Sequence, residues 1–136
     1  MSDARGPVVA VVLGHGALAD GMVSAVETIT GRGNRFAALS NTGLSTDEIL
    51  NRLRELLDRT GARLVFTDLP AGSCNHAACR VLRDHPDVVV VTGANLPALL
   101  TVATADGEAT PRELAERAVS RGAPSVRLIT GPPRGN

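Results

Sequence analysis

The sequence predicts an α/β domain built on an open, mostly parallel sheet with helices on both faces. Strand-like and helical segments alternate along the chain, which is typical of such folds. The strand candidates, above all Val8–Leu13 and Val88–Val91, are continuous apolar runs, as expected for strands buried on both faces. The chain has 136 residues, 43% of them hydrophobic. This size suits one domain spanning residues 1–136, with an ordered core over about residues 7–130.

Each predicted element has its own local signal. Apolar residues recur at three- and four-residue steps over residues 18–30. Gly31 and Gly33 end this helix, because glycine readily adopts the left-handed backbone that follows a helix. The second helix begins after Ser45, where Glu48 completes a capping box, and stops at Gly61. Similar signals predict further strands over residues 36–39, 64–67, 88–91 and 126–129, and further helices over 74–84, 97–104 and 111–122.

The connections between these elements predict the strand order. Right-handed crossovers favour the order 2-1-3-4, in which strands two and three flank strand one. The short last strand follows two consecutive helices, and we expect it to be antiparallel, either at an edge of this sheet or against a second subunit. Ligands of open α/β sheets bind where the strand order reverses, which here is the edge formed by the loops after strands one and three.

The charge balance excludes two classes of partner. Fourteen basic and fourteen acidic side chains give a formal net charge of +0, so the chain has no basic field to attract nucleic acid or an anionic membrane. No apolar run is long enough to cross a bilayer, and we expect no direct membrane insertion. Cys74 and Cys79 lie close together in one predicted helix, a poor spacing for a disulfide, which favours a reducing cytoplasmic setting.

His15 and Asp68 are the candidate catalytic residues, because they follow the two strands that meet at the ligand-binding edge. His15 stands between Gly14 and Gly16. A carboxylate beside an imidazole accepts one ring N–H, selects the tautomer and leaves the other nitrogen free as a nucleophile. The alternative is that His15 only fills a turn and Asp68 caps the next helix. The predicted proximity of the two residues favours the functional interpretation.

The loop after strand three is a candidate phosphate-binding segment. Ser73 stands where the next helix begins, so its hydroxyl and nearby backbone N–H groups can receive a phosphate. Gly72 and the glycines beside His15 allow close backbone approach. Together these features indicate phosphoryl transfer through a phosphohistidine. The sequence has no P-loop, so we expect no ATP site and no cofactor, and the donor would be another phosphoprotein.

Two further groups of residues have weaker signals. Asn95, after strand four, either lines the same crevice or caps the helix that starts at Pro97. Cys74, His76 and Cys79 fall within six positions, a spacing that raises the question of a metal. On a helix, however, Cys74 and His76 point about 200° apart. We therefore expect no metal site there.

Three segments carry a family resemblance: Leu13-Gly14-His15-Gly16, Thr67-Asp68-Leu69-Pro70-Ala71-Gly72-Ser73 and Val91-Thr92-Gly93-Ala94-Asn95-Leu96-Pro97. In this order and spacing they resemble the IIA components of the mannose/N-acetylgalactosamine class of the bacterial sugar phosphotransferase system. The resemblance covers about residues 8–102.

The resemblance implies a function, partners and an assembly. The histidine matching His15 accepts a phosphoryl group from the carrier protein HPr and passes it to a IIB component during sugar uptake. The aspartate matching Asp68 hydrogen-bonds the histidine ring, and the residue matching Ser73 lies near the phosphate. The family forms a homodimer that exchanges its last, antiparallel strand between subunits, which would account for the isolated strand at residues 126–129.

The chain departs from this family in the loop after strand three. Leu69, which we expect to line the site, stands where mannose-type members carry threonine, and it resembles the galactosamine-like branch. Ala71 and Cys74 replace a glycine and a proline of the family's usual Gly-Gly-Ser/Thr-Pro. These departures leave the sugar and the transfer rate open.

Two other functions are compatible with these residues. A regulatory binding protein of the same fold would use the phosphorylation state of His15 to control a partner. A small tetrapyrrole chelatase would hold a metal with a histidine after strand one, and His76 is the only nearby histidine to assist it.

Overall fold

Four parallel strands form the centre of the molecule, in a computed structural model that describes residues 7–134. Their order is β2-β1-β3-β4, which confirms the predicted 2-1-3-4 arrangement. In register, Ala10 of β1 lies beside Phe36 of β2 on one side and Leu64 of β3 on the other. The strands are β1 (Ala10–Gly14), β2 (Phe36–Ser40), β3 (Leu64–Thr67) and β4 (Val89–Val91).

Helices cover both faces of this sheet. Alternate residues of β1 point to opposite faces: Val11 and Leu13 pack with α2 and α3, whereas Val12 packs with α1, α4 and α5. The side chains of Val11, Val12 and Leu13 are all buried, which explains why β1 is an unbroken apolar run in the sequence. The helices are α1 (Leu18–Thr30), α2 (Thr46–Thr60), α3 (Ser73–Val81), α4 (Leu96–Ala103) and α5 (Pro111–Gly122), with 3-10 turns at Gly33–Arg35 and Ala123–Ser125.

The predicted ends of the first two helices are correct. The backbone of Gly31 is left-handed with φ 72°, and that of Gly61 is left-handed with φ 78°. Ser45 and Glu48 form the predicted reciprocal capping box at the start of α2.

Helix α3 is shorter than the predicted 74–84. It begins one residue earlier, at Ser73, and ends at Val81. The chain then tightens, because Arg83 N–H donates to the carbonyl of Arg80 at 3.2 Å, and Asp84 N–H donates to that of Val81 at 3.1 Å. These are bonds over three residues rather than four. The nearby Pro86 also disfavours helical backbone at the residue before it.

Residues 126–129 do not form the predicted antiparallel strand within the sheet of their own chain. All four strands of the described chain are parallel, and residues 126–129 lie outside them. Val126, Leu128 and Ile129 are 82%, 91% and 86% exposed. The expectation of an edge strand in the same sheet is therefore wrong. The other expectation, pairing with a second subunit, stays a prediction.

Within residues 7–134, none of the helices has the length and apolar character needed to cross a lipid bilayer.

Candidate functional site

The topology brings His15 and Asp68 into direct contact. Leu13 and Thr67 are neighbours in the β1–β3 register, so the residues that follow the two strands meet at one edge of the sheet. One oxygen of Asp68, Oδ2, accepts a hydrogen bond from the backbone N–H of His15 at 2.9 Å. The ring nitrogen Nδ1 of His15 lies 2.9 Å from the same oxygen. The carboxylate therefore holds both the backbone and the ring of His15.

This contact determines which nitrogen of His15 is free. An ionised carboxylate only accepts hydrogen bonds, so Nδ1 carries the ring proton and donates it to Asp68. In a neutral imidazole the other nitrogen, Nε2, then keeps its lone pair. The His15 side chain is 40% exposed, so the ring is open to a partner from solution. The pair consequently presents an oriented, accessible nucleophile.

The charge on Asp68 is maintained by His15. Burial disfavours the charged form and by itself would raise the pKa of this carboxyl. The hydrogen bonds from the backbone N–H and the ring of His15 outweigh burial, and the pKa of Asp68 lies below its ordinary value of 3.8. Asp68 is therefore ionised at neutral pH.

The loop that carries His15 is held by the last residue of β2 and the residue that follows it. The amide of Gly16 donates to Oδ1 of Asn41 at 3.1 Å, and the hydroxyl of Ser40 donates to the carbonyl of Gly16 at 2.7 Å. The amide of Asn41 also donates to the carbonyl of Gly14 at 3.1 Å. Sequence reasoning missed Ser40 and Asn41. Their position at the carboxyl end of a strand that adjoins β1 is the signal that would have identified them.

A second network holds the loop that carries Asp68. The hydroxyl of Thr67, only 1% of whose surface is exposed, donates to the hydroxyl of Thr92 at 2.9 Å. Thr92 in turn donates to the carbonyl of Leu69 at 2.8 Å. The side-chain amide of Asn75 donates to the carbonyl of Pro70 at 3.1 Å. Leu69 thus contributes its backbone to this network, while its side chain is 53% exposed at the surface.

Gly72, directly before Ser73, lies on the side of His15 that carries Nε2. A Cβ added to Gly72 would lie 3.7 Å from both Nε2 and Cε1 of His15. Gly72 also has φ 95°, a conformation that side chains disfavour. Ser73 is the first residue of α3, and together with Gly72, Thr46, His76 and Arg80 it lines a surface cavity of about 370 Å³. The residue that precedes α3 is thus adjacent to the free nitrogen.

Cys74 lies beneath His15. Its thiol is fully buried, and Sγ is 3.8 Å from Nδ1 of the histidine. Burial, with the charge of Asp68 as a second cause, raises the pKa of this thiol to about 11, so it is protonated at neutral pH. His76 and Cys79 are exposed on the other side of α3, and the three residues do not converge, as the helical spacing predicts.

Asn95 occupies a capping position rather than the crevice. Its Oδ1 accepts a hydrogen bond from the amide of Ala98 at 3.1 Å, which caps α4. Its Nδ2 donates to the carbonyl of Gly122 at 2.8 Å, which ties α4 to the end of α5. Of the two interpretations of Asn95, capping is therefore the one that the structure supports.

Comparison with known proteins gives a family match and several similar folds. A family model described as the PTS system fructose IIA component matches residues 9–119. A search of curated proteins finds no match.

Three solved structures show the same fold. A phosphotransferase system component EIIA from Streptococcus agalactiae is 19% identical with a TM-score of 0.79, covering 89% of this chain and 96% of its own. A mannose/sorbose specific IIA subunit from Enterococcus faecalis is 21% identical with a TM-score of 0.80, covering 94% and 98%. A PTS IIA protein associated with the fucose utilization operon of Streptococcus pneumoniae is 24% identical with a TM-score of 0.75, covering 88% and 91%. At these identities the likeness establishes the fold.

Proposed function

Because this chain belongs to the PTS fructose IIA family, whose members are components of the sugar phosphotransferase system, we propose that His15 carries a phosphoryl group between two partner proteins. The single observation that supports this most strongly is the shared oxygen of Asp68, which holds the backbone and the ring of His15 together. A histidine positioned in this way is a nucleophile with a defined free nitrogen.

The proposed reaction is an attack by Nε2 on the phosphorus of a phosphorylated donor. A bond forms between Nε2 and phosphorus as the bond between phosphorus and the donor breaks. The proton on Nδ1 stays in place, and the ring becomes more positive as its lone pair is shared. The ionised carboxylate of Asp68, 2.9 Å from Nδ1, stabilises that charge. Transfer to the acceptor reverses these events.

The phosphoryl oxygens would be received at the start of α3. Backbone N–H groups at a helix N-terminus attract anions, and Ser73 adds a hydroxyl at the same place. Gly72 leaves room there, because no side chain separates its backbone from the His15 ring. In this proposal Asp68 and the α3 terminus act on opposite sides of the imidazole.

The proposed partners are HPr as the donor and a IIB component as the acceptor, which together serve sugar uptake. The family match supports both partners. We place the reaction in the cytoplasm, where a reducing environment would keep the two free cysteines reduced.

Mass spectrometry tests the carrier role. We would incubate the protein with phosphoenolpyruvate, enzyme I and HPr, and measure its intact mass. The expected result is one acid-labile phosphoryl group, which is absent in His15→Ala and retained in His76→Ala, the control for the exposed histidine of α3. Phosphorylation that survives His15→Ala would refute the assignment. Subsequent loss of the group to an added IIB component distinguishes a carrier from a regulatory protein that only holds it.

The same family membership leads us to propose a homodimer in which residues 126–129 pair with β4 of a second copy. The support is a segment whose apolar side chains are exposed and a partly apolar cavity beside the last strand of the described sheet. Leu128 is 91% exposed, and β4 lies at the end of the described sheet. A cavity of about 690 Å³ runs along β4 and α5, with Val89, Val91 and Val119 among its lining residues.

Light scattering coupled to gel filtration tests this assembly. Leu128→Glu is expected to convert the dimer to a monomer, because it places a charge on an apolar contact. Arg127→Glu is the matched control, as it changes charge at the neighbouring position, and is expected to stay dimeric. A wild-type monomer would contradict the proposal.

A further inference from the structure

Three metal-ligating side chains converge beneath the imidazole of His15. One ligand atom each from His15, Asp68 and Cys74 lies within 4.8 Å of the other two. Nδ1 of the histidine is 2.9 Å from Oδ2 of Asp68 and 3.8 Å from Sγ of Cys74. The carrier role proposed above uses the first two residues and assigns no task to the thiol.

We propose that these three residues form an inhibitory site for Zn²⁺. The inhibitory consequence depends on the carrier function proposed above, whereas the binding of the ion does not. Zn²⁺ is bound tetrahedrally at about 2.0–2.1 Å by histidine nitrogen, about 2.0–2.2 Å by carboxylate oxygen and about 2.3 Å by thiolate sulfur. Neighbouring ligand atoms in such a tetrahedron lie roughly 3.3–3.7 Å apart. The distances from Nδ1, 2.9 Å to Oδ2 of Asp68 and 3.8 Å to Sγ of Cys74, lie just below and just above this range. Small side-chain movements would therefore bring the three ligand atoms to tetrahedral spacing.

The carboxylate supplies an independent indication of a ligand. The Asp68 side chain is only 9% exposed, and its second oxygen, Oδ1, is buried with no hydrogen-bond partner among the described residues. An unpaired buried acceptor is costly, and a structural explanation is expected for each one. A cation between the carboxylate, the imidazole and the thiol would compensate the negative charge there.

The chemistry of the donor set selects the class of ion. Sulfur and imidazole nitrogen favour Zn²⁺ and similar borderline ions, whereas Mg²⁺ and Ca²⁺ require mainly oxygen ligands. Cys74 is fully buried and the His15 side chain is 40% exposed. The ion would therefore be enclosed by protein on the thiol side and open to solvent on the histidine side. A water molecule from solvent would be its fourth ligand.

Metal binding would switch the tautomer of His15. Coordination at Nδ1 requires a lone pair on that atom, so the ring proton moves to Nε2, and Cys74 releases its thiol proton to solvent as it becomes a thiolate. One proton is released in total. With Nε2 protonated, the lone pair needed for attack on phosphorus is lost. Zn²⁺ and the phosphoryl donor would thus compete for the two tautomers of one imidazole.

Cobalt substitution tests the site without relying on activity. Co²⁺ added to the purified full-length protein is expected to bind at one equivalent and to give the near-ultraviolet absorption of a thiolate–cobalt bond. The band should disappear in Cys74→Ser and in Cys74→Ala, two variants that guard against a folding defect in either one. It should persist in Cys79→Ser, the matched control for the exposed cysteine on the same helix. Absence of the band in the wild type, or its loss only in Cys79→Ser, would overturn the proposal.

The inhibitory consequence is tested separately by phosphorylation. One equivalent of Zn²⁺ is expected to abolish phosphoryl acceptance by the wild type and by Cys79→Ser. Cys74→Ala should accept at the same rate with and without the ion, which also controls for effects of Zn²⁺ on enzyme I and HPr. A wild-type rate that Zn²⁺ leaves unchanged would refute the inhibition. If the metal-free wild type accepts no phosphoryl group, the carrier proposal fails, and the cobalt result still decides the metal site.

Discussion

The substitution Asp68→Asn changes the charge beside His15 with almost no change in shape. In the wild type, the ionised carboxylate accepts from both the backbone N–H and Nδ1 of His15, each at 2.9 Å. Both bonds end on one atom, so the amide oxygen of an asparagine in that place can still accept from the backbone and from Nδ1. A neutral acceptor, however, stabilises the Nδ1–H form less than a carboxylate does. The variant therefore loses the negative charge and holds the reactive tautomer less strongly.

The size of the effect follows from the lost charge on this hydrogen-bond acceptor. A hydrogen bond to a charged group contributes about 1.5–3 kcal/mol. Solvent screens this contact little, because the Asp68 side chain is only 9% exposed. Since about 1.4 kcal/mol corresponds to a tenfold change in rate, we expect Asp68→Asn to slow phosphoryl acceptance roughly tenfold to 100-fold without abolishing it. Asp68→Ala should fall in the same range, because it also removes the acceptor for Nδ1.

Two measurements test this reasoning. Rapid-quench experiments with phosphorylated HPr give the acceptance rate, and nitrogen NMR of the His15 ring reports which nitrogen carries the proton. We expect the wild type to show a proton on Nδ1 and Asp68→Asn to show a larger fraction of the Nε2–H form. A variant with the wild-type rate and the wild-type tautomer would refute the role of Asp68. A slower variant with an unchanged tautomer would leave only the charge as the cause.

Three further predictions concern stability and pH. A Cβ at Gly122 would lie 2.9 Å from two atoms at the start of α4, so Gly122→Ala should lower the free energy of unfolding by about 1–3 kcal/mol in urea titrations. In the control Gly21→Ala, in α1, the added Cβ meets nothing within 4 Å, and this substitution should raise the free energy of unfolding by about 0.5–1 kcal/mol. Equal changes in the two variants would contradict the packing argument. Ser45→Ala should lower the free energy of unfolding by about 1 kcal/mol, because it removes the cap of α2. Ser24→Ala, at an exposed position of α1, is the control and should leave the free energy of unfolding nearly unchanged. A melting temperature that Ser45→Ala does not lower would count against the capping contribution. The pKa of Asp68 in the folded protein lies below 3.8, so its ionised form stabilises the protein above that pH, and this contribution is lost as the pH falls through the folded pKa. The difference in the free energy of unfolding between the wild type and Asp68→Asn should therefore shrink below about pH 4. A difference that does not depend on pH would exclude this linkage.

The helices and strands were largely predictable, because their signals are local. The capping box of Ser45 and Glu48, the left-handed glycines after α1 and α2, and the unbroken apolar run of β1 each depend on residues that are neighbours in the chain. The end of α3 was not predictable to the residue, because bonds over three and four residues compete there and the sequence pattern is the same for both. Handedness of the crossovers then sufficed for the strand order.

The proximity of His15 and Asp68 also followed from the sequence, since the strand order places the ends of β1 and β3 side by side. Only the tertiary structure decided how they interact. One oxygen of Asp68 can serve both the backbone and the ring only because two loops have the right shape. These loops are held by Ser40, 24 positions from Gly16, and by Thr92, 23 positions from Leu69.

Asn95, Cys74 and residues 126–129 show most clearly what could not be predicted from the sequence. Asn95 has the same sequence signal for a cap and for a crevice, and its bond to Gly122, 27 positions along the chain, distinguishes them. Cys74 reads as a buried helix residue, yet its sulfur lies 3.8 Å from the catalytic candidate. Residues 126–129 have the pattern of a strand, but a strand needs a neighbour for its backbone hydrogen bonds. Local patterns determine which elements can form, whereas long-range contacts determine which side chains meet and whether a strand finds a partner.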